Sequence, residues 1–201
     1  MKRIVSFIFI FVILITVAGC ITTRGAEMVQ PKISKTIFEK QVIAVLPTHS
    51  QTNLTTESLL PLKKAIDIRL DGVMATHFPS SIIVPTKKTI GILNDTNHIE
   101  ALDKLITTYD NTGVYNKKMV ASLFSALKCK YLVISRLKTE KMNIVISKGT
   151  GASLEVTILN DAGEVEWSGV GDFKRGGIFG FGGADANEIS EELVKLAFQN
   201  F

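Results

Sequence analysis

The sequence predicts an α+β domain of the mixed α/β type, and three observations carry that prediction. Val42-Ile43-Ala44-Val45-Leu46 is an unbroken apolar run closed by Pro47, which suits a strand covered on both faces. Through the middle of the chain apolar residues recur at intervals of three and four, the mark of helices with one buried face. From Lys130 onward the interval falls to two, and strand-like stretches follow one another with turns between them. A β-α-β start, a helical middle, an antiparallel β-meander and a closing helix amount to a sheet packed with helices.

Each element has its own warrant. Pro47 stops the first strand, and residues 48–55 are a polar loop. Residues 56–76 place Leu59, Leu62, Ile66, Leu70, Val73 and Met74 on one helix face, with Pro61 setting the start near Leu60. Asp67 and Asp71 flank Arg69 and read as a solvated face rather than an acid/base pair. Residues 81–84 form a short strand before Pro85, and residues 87–93 a short helix. Ile99, Leu102, Leu105 and Ile106 align on another helix, and Met119, Val120, Leu123, Phe124 and Leu127 on a third, with Asn111-Thr112-Gly113 between them. Strands follow at residues 131–134, 142–146 and 152–160, the last placing Leu154, Val156 and Ile158 on one face. Asp161-Ala162-Gly163 is a turn, and Val165, Trp167 and Gly169 alternate on the returning strand. Residues 187–198 close the chain as a helix with Ile189, Leu193, Leu196 and Ala197 on one side.

The amino-terminal segment is an address. Met1-Lys2-Arg3 is basic, residues 4–15 are apolar apart from Ser6, and Val17-Ala18-Gly19-Cys20 supplies small residues at a cleavage point. These are the three regions of a secretory signal peptide, and the apolar run is short for a bilayer span of ~20 residues. Two small residues directly before a cysteine resemble the bacterial lipobox. That resemblance implies cleavage between Gly19 and Cys20, acyl chains on Cys20, and a membrane anchor. Ile21, rather than Asp, after the cysteine implies the periplasmic face of the outer membrane. The expected organisation is residues 1–19 as signal peptide, 20–40 as a polar lipidated tether, and 41–201 as the folded domain.

Bulk charge excludes some functions. Cleavage before Cys20 removes Lys2 and Arg3 and no acid, so the formal charge falls from +4 to +2. A near-neutral exported domain is not a nucleic-acid binder, which would need a basic stripe. With Cys20 acylated, Cys129 has no cysteine partner, and no local His activates it, so it reads as a small buried residue. His49, His77 and His98 are scattered, with no HExxH or CxxC spacing, so neither a metal nor a cofactor is expected. GxSxG is absent as well, and an envelope hydrolase is disfavoured.

The sequence's main anomaly is Arg175-Gly176-Gly177-Ile178-Phe179-Gly180-Phe181-Gly182-Gly183. It lacks the Lys-Ser/Thr of a phosphate loop and the spacing of a dinucleotide fingerprint, and Asp185 at the following helix start would repel phosphate. Two readings stand side by side. The glycine-rich stretch displays Ile178, Phe179 and Phe181 to a partner or a lipid surface, or it folds them back on the domain.

Three phrases together resemble the TolB amino-terminal-like superfamily. They are Val42-Ile43-Ala44-Val45-Leu46-Pro47, Ala126-Leu127-Lys128-Cys129-Lys130-Tyr131-Leu132-Val133, and the hairpin from Thr157 through Asp161-Ala162-Gly163-Glu164 to Trp167-Ser168-Gly169. The same order occurs in envelope lipoproteins related to the curli-secretion lipoprotein and to the activators of peptidoglycan synthases. Lys128-Cys129-Lys130 stands where those proteins ordinarily carry Gly-Ala-Asp. The resemblance implies a non-catalytic domain that binds envelope proteins or further copies of itself in envelope assembly, secretion or wall synthesis. Its alternative is a subunit of an oligomeric outer-membrane export complex.

Overall fold

The computed structural model describes residues 21–28, 34–52, 56–144, 147–178 and 185–201, without the side chains of 21–28, 51–58, 140–150 and 175–178. The strands are β1 (Ile21–Met28), β2 (Val42–Val45), β3 (His49–Thr52), β4 (Ile82–Val84), β5 (Tyr131–Ile144), β6 (Ser147–Asn160) and β7 (Val165–Ile178). The helices are α1 (Thr56–His77), α2 (Thr86–Asp95), α3 (Ile99–Thr112), α4 (Lys117–Leu127) and α5 (Ala186–Ala197).

All seven strands join one mixed sheet in the order β1-β7-β6-β5-β2-β4, with β3 beside β5 and off that path. Four strands pair in parallel: β2 with β4 and with β5, and β3 with β5. β5, β6, β7 and β1 form an antiparallel meander. β2 and β3 lie along the same side of β5, against residues 131–133 and 136–139 respectively, so they amount to one strand interrupted at Leu46-Pro47-Thr48. The α+β architecture is the predicted one, with helices on both faces of the sheet.

Each face has its own core. α1 and α5 cover one, where Ile66, Leu70, Met74, Leu193 and Val194 meet Val133, Leu154, Val156, Ile158 and Trp167. α2, α3 and α4 cover the other, where Leu93, Leu105, Leu123 and Leu127 meet Ala44, Leu46, Leu132, Ile134 and Leu159. The unbroken apolar run of β2 therefore divides by parity, Ile43 and Val45 going to the first core and Ala44 and Leu46 to the second. α1 runs through Pro61, earlier than the expected start. Leu59 and Leu62 are buried on either side of it, so packing of the apolar face outweighs the one missing helix hydrogen bond.

Helix α5 rests on backbone. Trp167, Gly169, Gly171 and Phe173 share one face of β7 by alternation, and the glycines are where the helix comes down. A Cβ on Gly169 would stand 2.2 Å from the Ala197 carbonyl oxygen, and one on Gly171 2.3 Å from that of Leu193. Contact this close is open to glycine alone.

Asp67 and Asp71 do not form a solvated face. Asp67 Oδ1 accepts from the Thr48 backbone N–H at 2.8 Å and from its hydroxyl at 2.5 Å. Asp71 Oδ1 accepts from the N–H and hydroxyl of Thr86, both at 3.0 Å. The spacing of four along α1 thus matches the spacing of two neighbouring strand ends, and each carboxylate satisfies donors that no ladder reaches. Thr86 opens α2, whose preceding residue Pro85 provides no side-chain cap, so Asp71 caps that helix from α1.

Four further expectations are corrected. The described parts of the expected tether 20–40 belong to the fold: residues 21–28 pair with β7, and Phe38 is buried in the core at the end of a short 3-10 turn at Lys35–Phe38. The loop expected at residues 48–55 contains β3. In place of the expected separate strands at residues 131–134 and 142–146, residues 131–144 form the single strand β5, because antiparallel pairing to β6 continues through its polar centre. Val165 and Trp167 do not share a face. A bulge pairs Ile158 with Trp167 but Leu159 with Val165, which sends Trp167 to the α1/α5 core and Val165 to the other.

Candidate functional site

The far end of the meander gathers the segments singled out by sequence. β1 descends along β7 with Ile21 opposite Gly176, and Gly176 in turn faces Gly149 of β6. Ile178 ends β7 opposite Ser147, and Ile144 ends β5 opposite the same residue. Ile21 is covalently bonded to Cys20, so one end of the sheet brings the root of the glycine-rich segment, the adjoining ends of β5 and β6 and the residue beside the candidate anchor to one level. Gly19, Cys20, Phe179 and Phe181 lie outside the described residues. Sequence reading found these segments but not their convergence, because nothing in the polar stretch 21–28 announces a strand whose partner lies near residue 170.

A second assembly, on the face covered by α3, was not legible in any motif. Arg136 points out of the centre of β5 and is only 8% exposed. Its Nη1 donates to Asp110 Oδ1 at 2.8 Å, its Nη2 donates to Glu155 of β6, and its guanidinium lies 4.1 Å from the ring centroid of Tyr109. Tyr115 stacks on Tyr109 at 4.0 Å, and its buried hydroxyl approaches Thr157 without ordinary hydrogen-bond geometry. His49 Nε2 reaches Asp110 Oδ2 at 3.7 Å. The arrangement neutralises charge and fixes α3 to the sheet. An arginine fork has no proton to give at neutral pH, and both carboxylates spend oxygens on it.

On the opposite face, the Thr48 hydroxyl joins Asp67 to Ser135, whose Oγ lies 2.9 Å away. This chain of carboxylate and two hydroxyls contains no imidazole. Burial holds the Asp67 carboxyl above its ordinary range against the two Thr48 hydrogen bonds, so the group acts as a clamp between α1 and the β2–β3 bend. Burial also pushes the Cys129 thiol up to about 12, which leaves it a thiol at neutral pH, as its sequence context implied.

The histidines remain apart. His77 at the end of α1 stacks on Phe198 at 5.7 Å, and His98 Nδ1 contacts the Thr96 carbonyl at 2.6 Å. Burial lowers His49 below its ordinary value of 6.5, the charge of Asp110 opposing the shift. His77 moves the same way, through burial and then Lys35. The native chain therefore binds fewer protons than the unfolded chain between the folded values and 6.5. This contribution to stability is complete above 6.5 and is lost as pH falls through the folded values. The urea midpoint should drop between about pH 7.5 and about pH 5, with a shallower drop in His49→Gln. An identical pH dependence in the variant would remove His49 from the account.

Between α1 and α5 runs an open groove of about 570 Å³ floored by Gly72, Val73 and Val194. Arg69 crosses it, donating to Ser190 Oγ at 2.9 Å and pairing with Glu191 at 3.2 Å, so the groove is stapled where the two helices meet.

No protein family's sequence profile matches the chain, and no curated protein matches it. Several solved structures are similar in fold. PelC from Paraburkholderia phytofirmans, solved as a dodecamer, matches with a TM-score of 0.45 at 12% identity, over 90% of this chain and 96% of PelC. The lipoprotein GNA1162 from Neisseria meningitidis matches with a TM-score of 0.42 at 10% identity, over 68% of this chain and 83% of its own. The C-terminal domain of LpoB from Salmonella enterica matches with a TM-score of 0.35 at 14% identity, over 67% of this chain and 82% of that domain. The likeness is one of fold, and no residue's role is carried across from it.

Proposed function

We propose that the chain is a non-catalytic envelope lipoprotein, anchored through acyl chains on Cys20 at the periplasmic face of the outer membrane. The end of the sheet beside that anchor engages an envelope protein or the lipid surface in envelope assembly, secretion or wall synthesis. The observation that carries the reading is the register of β1 on β7. By setting Ile21 opposite Gly176, it ties the expected acylation site to the root of the segment that bears Ile178, Phe179 and Phe181. Several acyl chains hold a protein at a bilayer stably where one does not, at ~0.8 kcal/mol per buried CH₂. Aromatics carried a few residues from such an anchor meet either lipid headgroups or a protein held at the same surface.

Cys20→Ser should abolish palmitate labelling and release the protein from the membrane fraction. Continued labelling of the variant would sink the anchor. In the anchored protein, Phe179→Ser with Phe181→Ser should weaken crosslinking pull-down of a partner from intact cells while leaving the circular dichroism melt unchanged. A collapsed melt would instead mean that the two rings pack on the domain.

A further inference from the structure

Two edges of the sheet are unpaired among the described residues, and they stand at the same height. β1 pairs only with β7 on one side, and β3 pairs only with β5 on the other. Along the rungs, His49 is level with Arg136, Glu155, Val170 and Glu27. Thr52 is level with Thr139, Ala152, Phe173 and Arg24. β4 does not shield β3, since it lies further along the sheet against Val42–Ala44. Neither β1 nor β3 contains a proline. An open strand side leaves alternate N–H and C=O groups without ladder partners, a template for another strand.

Strand direction decides which edges meet. β1 runs away from the Cys20 end, whereas β3, parallel to β5, runs toward it. Copies anchored in one bilayer through Cys20 stand in the same orientation; only this step rests on the anchoring reading. An antiparallel β1–β1 pair would turn one copy's Cys20 end away from the membrane. A parallel β1–β1 pair related by a two-fold axis sets like residues at one height, whereas a parallel ladder needs them offset by one. β1 against β3 of the next copy meets every requirement: antiparallel direction, equal height and continuous faces.

We propose that the partner for these edges is a second copy of the chain. Residues 24–27 of one copy pair antiparallel with residues 49–52 of the next, so the sheet continues head to tail from subunit to subunit along the membrane. An interface of this kind is heterologous and propagates beyond a dimer.

The test is cysteine crosslinking in the full-length, processed protein in its envelope. Gly25 pairs with Asp172 and Gln51 with Lys138, positions on the same sheet face, and directly opposed residues lie within disulfide range. Gly25→Cys with Gln51→Cys, or Thr23→Cys with Gln51→Cys for a register moved by two, should give a ladder of dimer, trimer and higher species under mild oxidation. Each single variant should stay monomeric, and the melt of each should match the parent. The absence of a ladder from both pairs in a protein that still carries palmitate overturns the edge pairing and leaves the anchor standing. Dimers from Gly25→Cys alone overturn it in favour of β1–β1 contact. Loss of palmitate from the parent protein would tell against the anchor, and the ladder would then be read on the unanchored chain, where its absence overturns the pairing on its own.

Discussion

Arg136→Ala should cost the fold about 3–5 kcal/mol, the loss typical when one partner of a buried ion pair is removed. Against a total stability of ~5–15 kcal/mol for a domain of this kind, that is a large share. The cost comes less from the bonds broken than from what stays behind. Asp110 and Glu155 keep their positions, with side chains 8% and 23% exposed, and lose the one cation that both contact. Tyr109 loses the guanidinium over its ring at the same time. Arg136→Lys retains the charge but cannot serve two carboxylates with a planar fork, so it should fall between alanine and the parent. Replacing Arg136, Asp110 and Glu155 together by apolar residues of similar volume should recover much of the loss, because no uncompensated charge remains. Urea unfolding of the four proteins checks the series. A loss below ~1 kcal/mol for Arg136→Ala would mean that solvent reaches the cluster and screens it.

Gly171→Val should be the second severe change. The first atom of the new side chain would have to stand 2.3 Å from the Leu193 carbonyl oxygen and 2.8 Å from the Ala197 amide nitrogen, both backbone atoms of α5. A flexible side chain could swing away from such a clash, but a helix backbone must move as a body. Overpacking in cores costs ~1–3 kcal/mol, and the upper end or beyond is expected here because a whole helix is displaced. The displacement has its own reporter. Trp167, the chain's single tryptophan, stacks on Phe198 just past α5 at 5.0 Å and meets Phe201 edge-on at 4.8 Å. Its emission and near-ultraviolet dichroism should change along with the melt. Gly72→Ala in α1 is the control, since a Cβ there meets nothing within 4 Å and a helical alanine gains up to about 1 kcal/mol over glycine. Intact Trp167 signals with an unchanged melt in Gly171→Val would overturn the close seating of α5 on β7.

The helices and the first strand were legible because their information is local. Leu59, Leu62, Ile66, Leu70 and Met74 announce a buried face through spacing alone, and all are buried. β1 and β3 were not legible, because polar residues at a sheet edge carry no periodic signal, and their partners are distant in sequence. The central polar stretch of β5 broke the apparent pattern at Arg136, which reads as a strand end until Asp110 and Glu155 are seen to neutralise it. The alternation through Val165 and Trp167 misled for another reason, since a bulge inserts one residue without leaving a composition mark. Lys128 illustrates a departure that structure explains. It adopts φ of 50° at the end of α4, the left-handed conformation for which glycine is suited, and glycine is the residue the resembling phrase ordinarily carries there. Of the candidate site, the individual segments could be read in advance; their meeting at one end of the sheet could not, because register across 150 residues is a tertiary fact.

On the proposed anchoring through Cys20, the pairing of β1 to β7 also sets how far the domain can travel. Twenty free residues after an acylated Cys20 would give a leash of up to ~70 Å at full extension. With Ile21 already opposite Gly176, the leash shortens to the bonds between Cys20 and its neighbour. A protein built this way does not sweep the space between membranes in search of a target. On that proposal it stands at a fixed depth, and whatever it serves must come to the same bilayer.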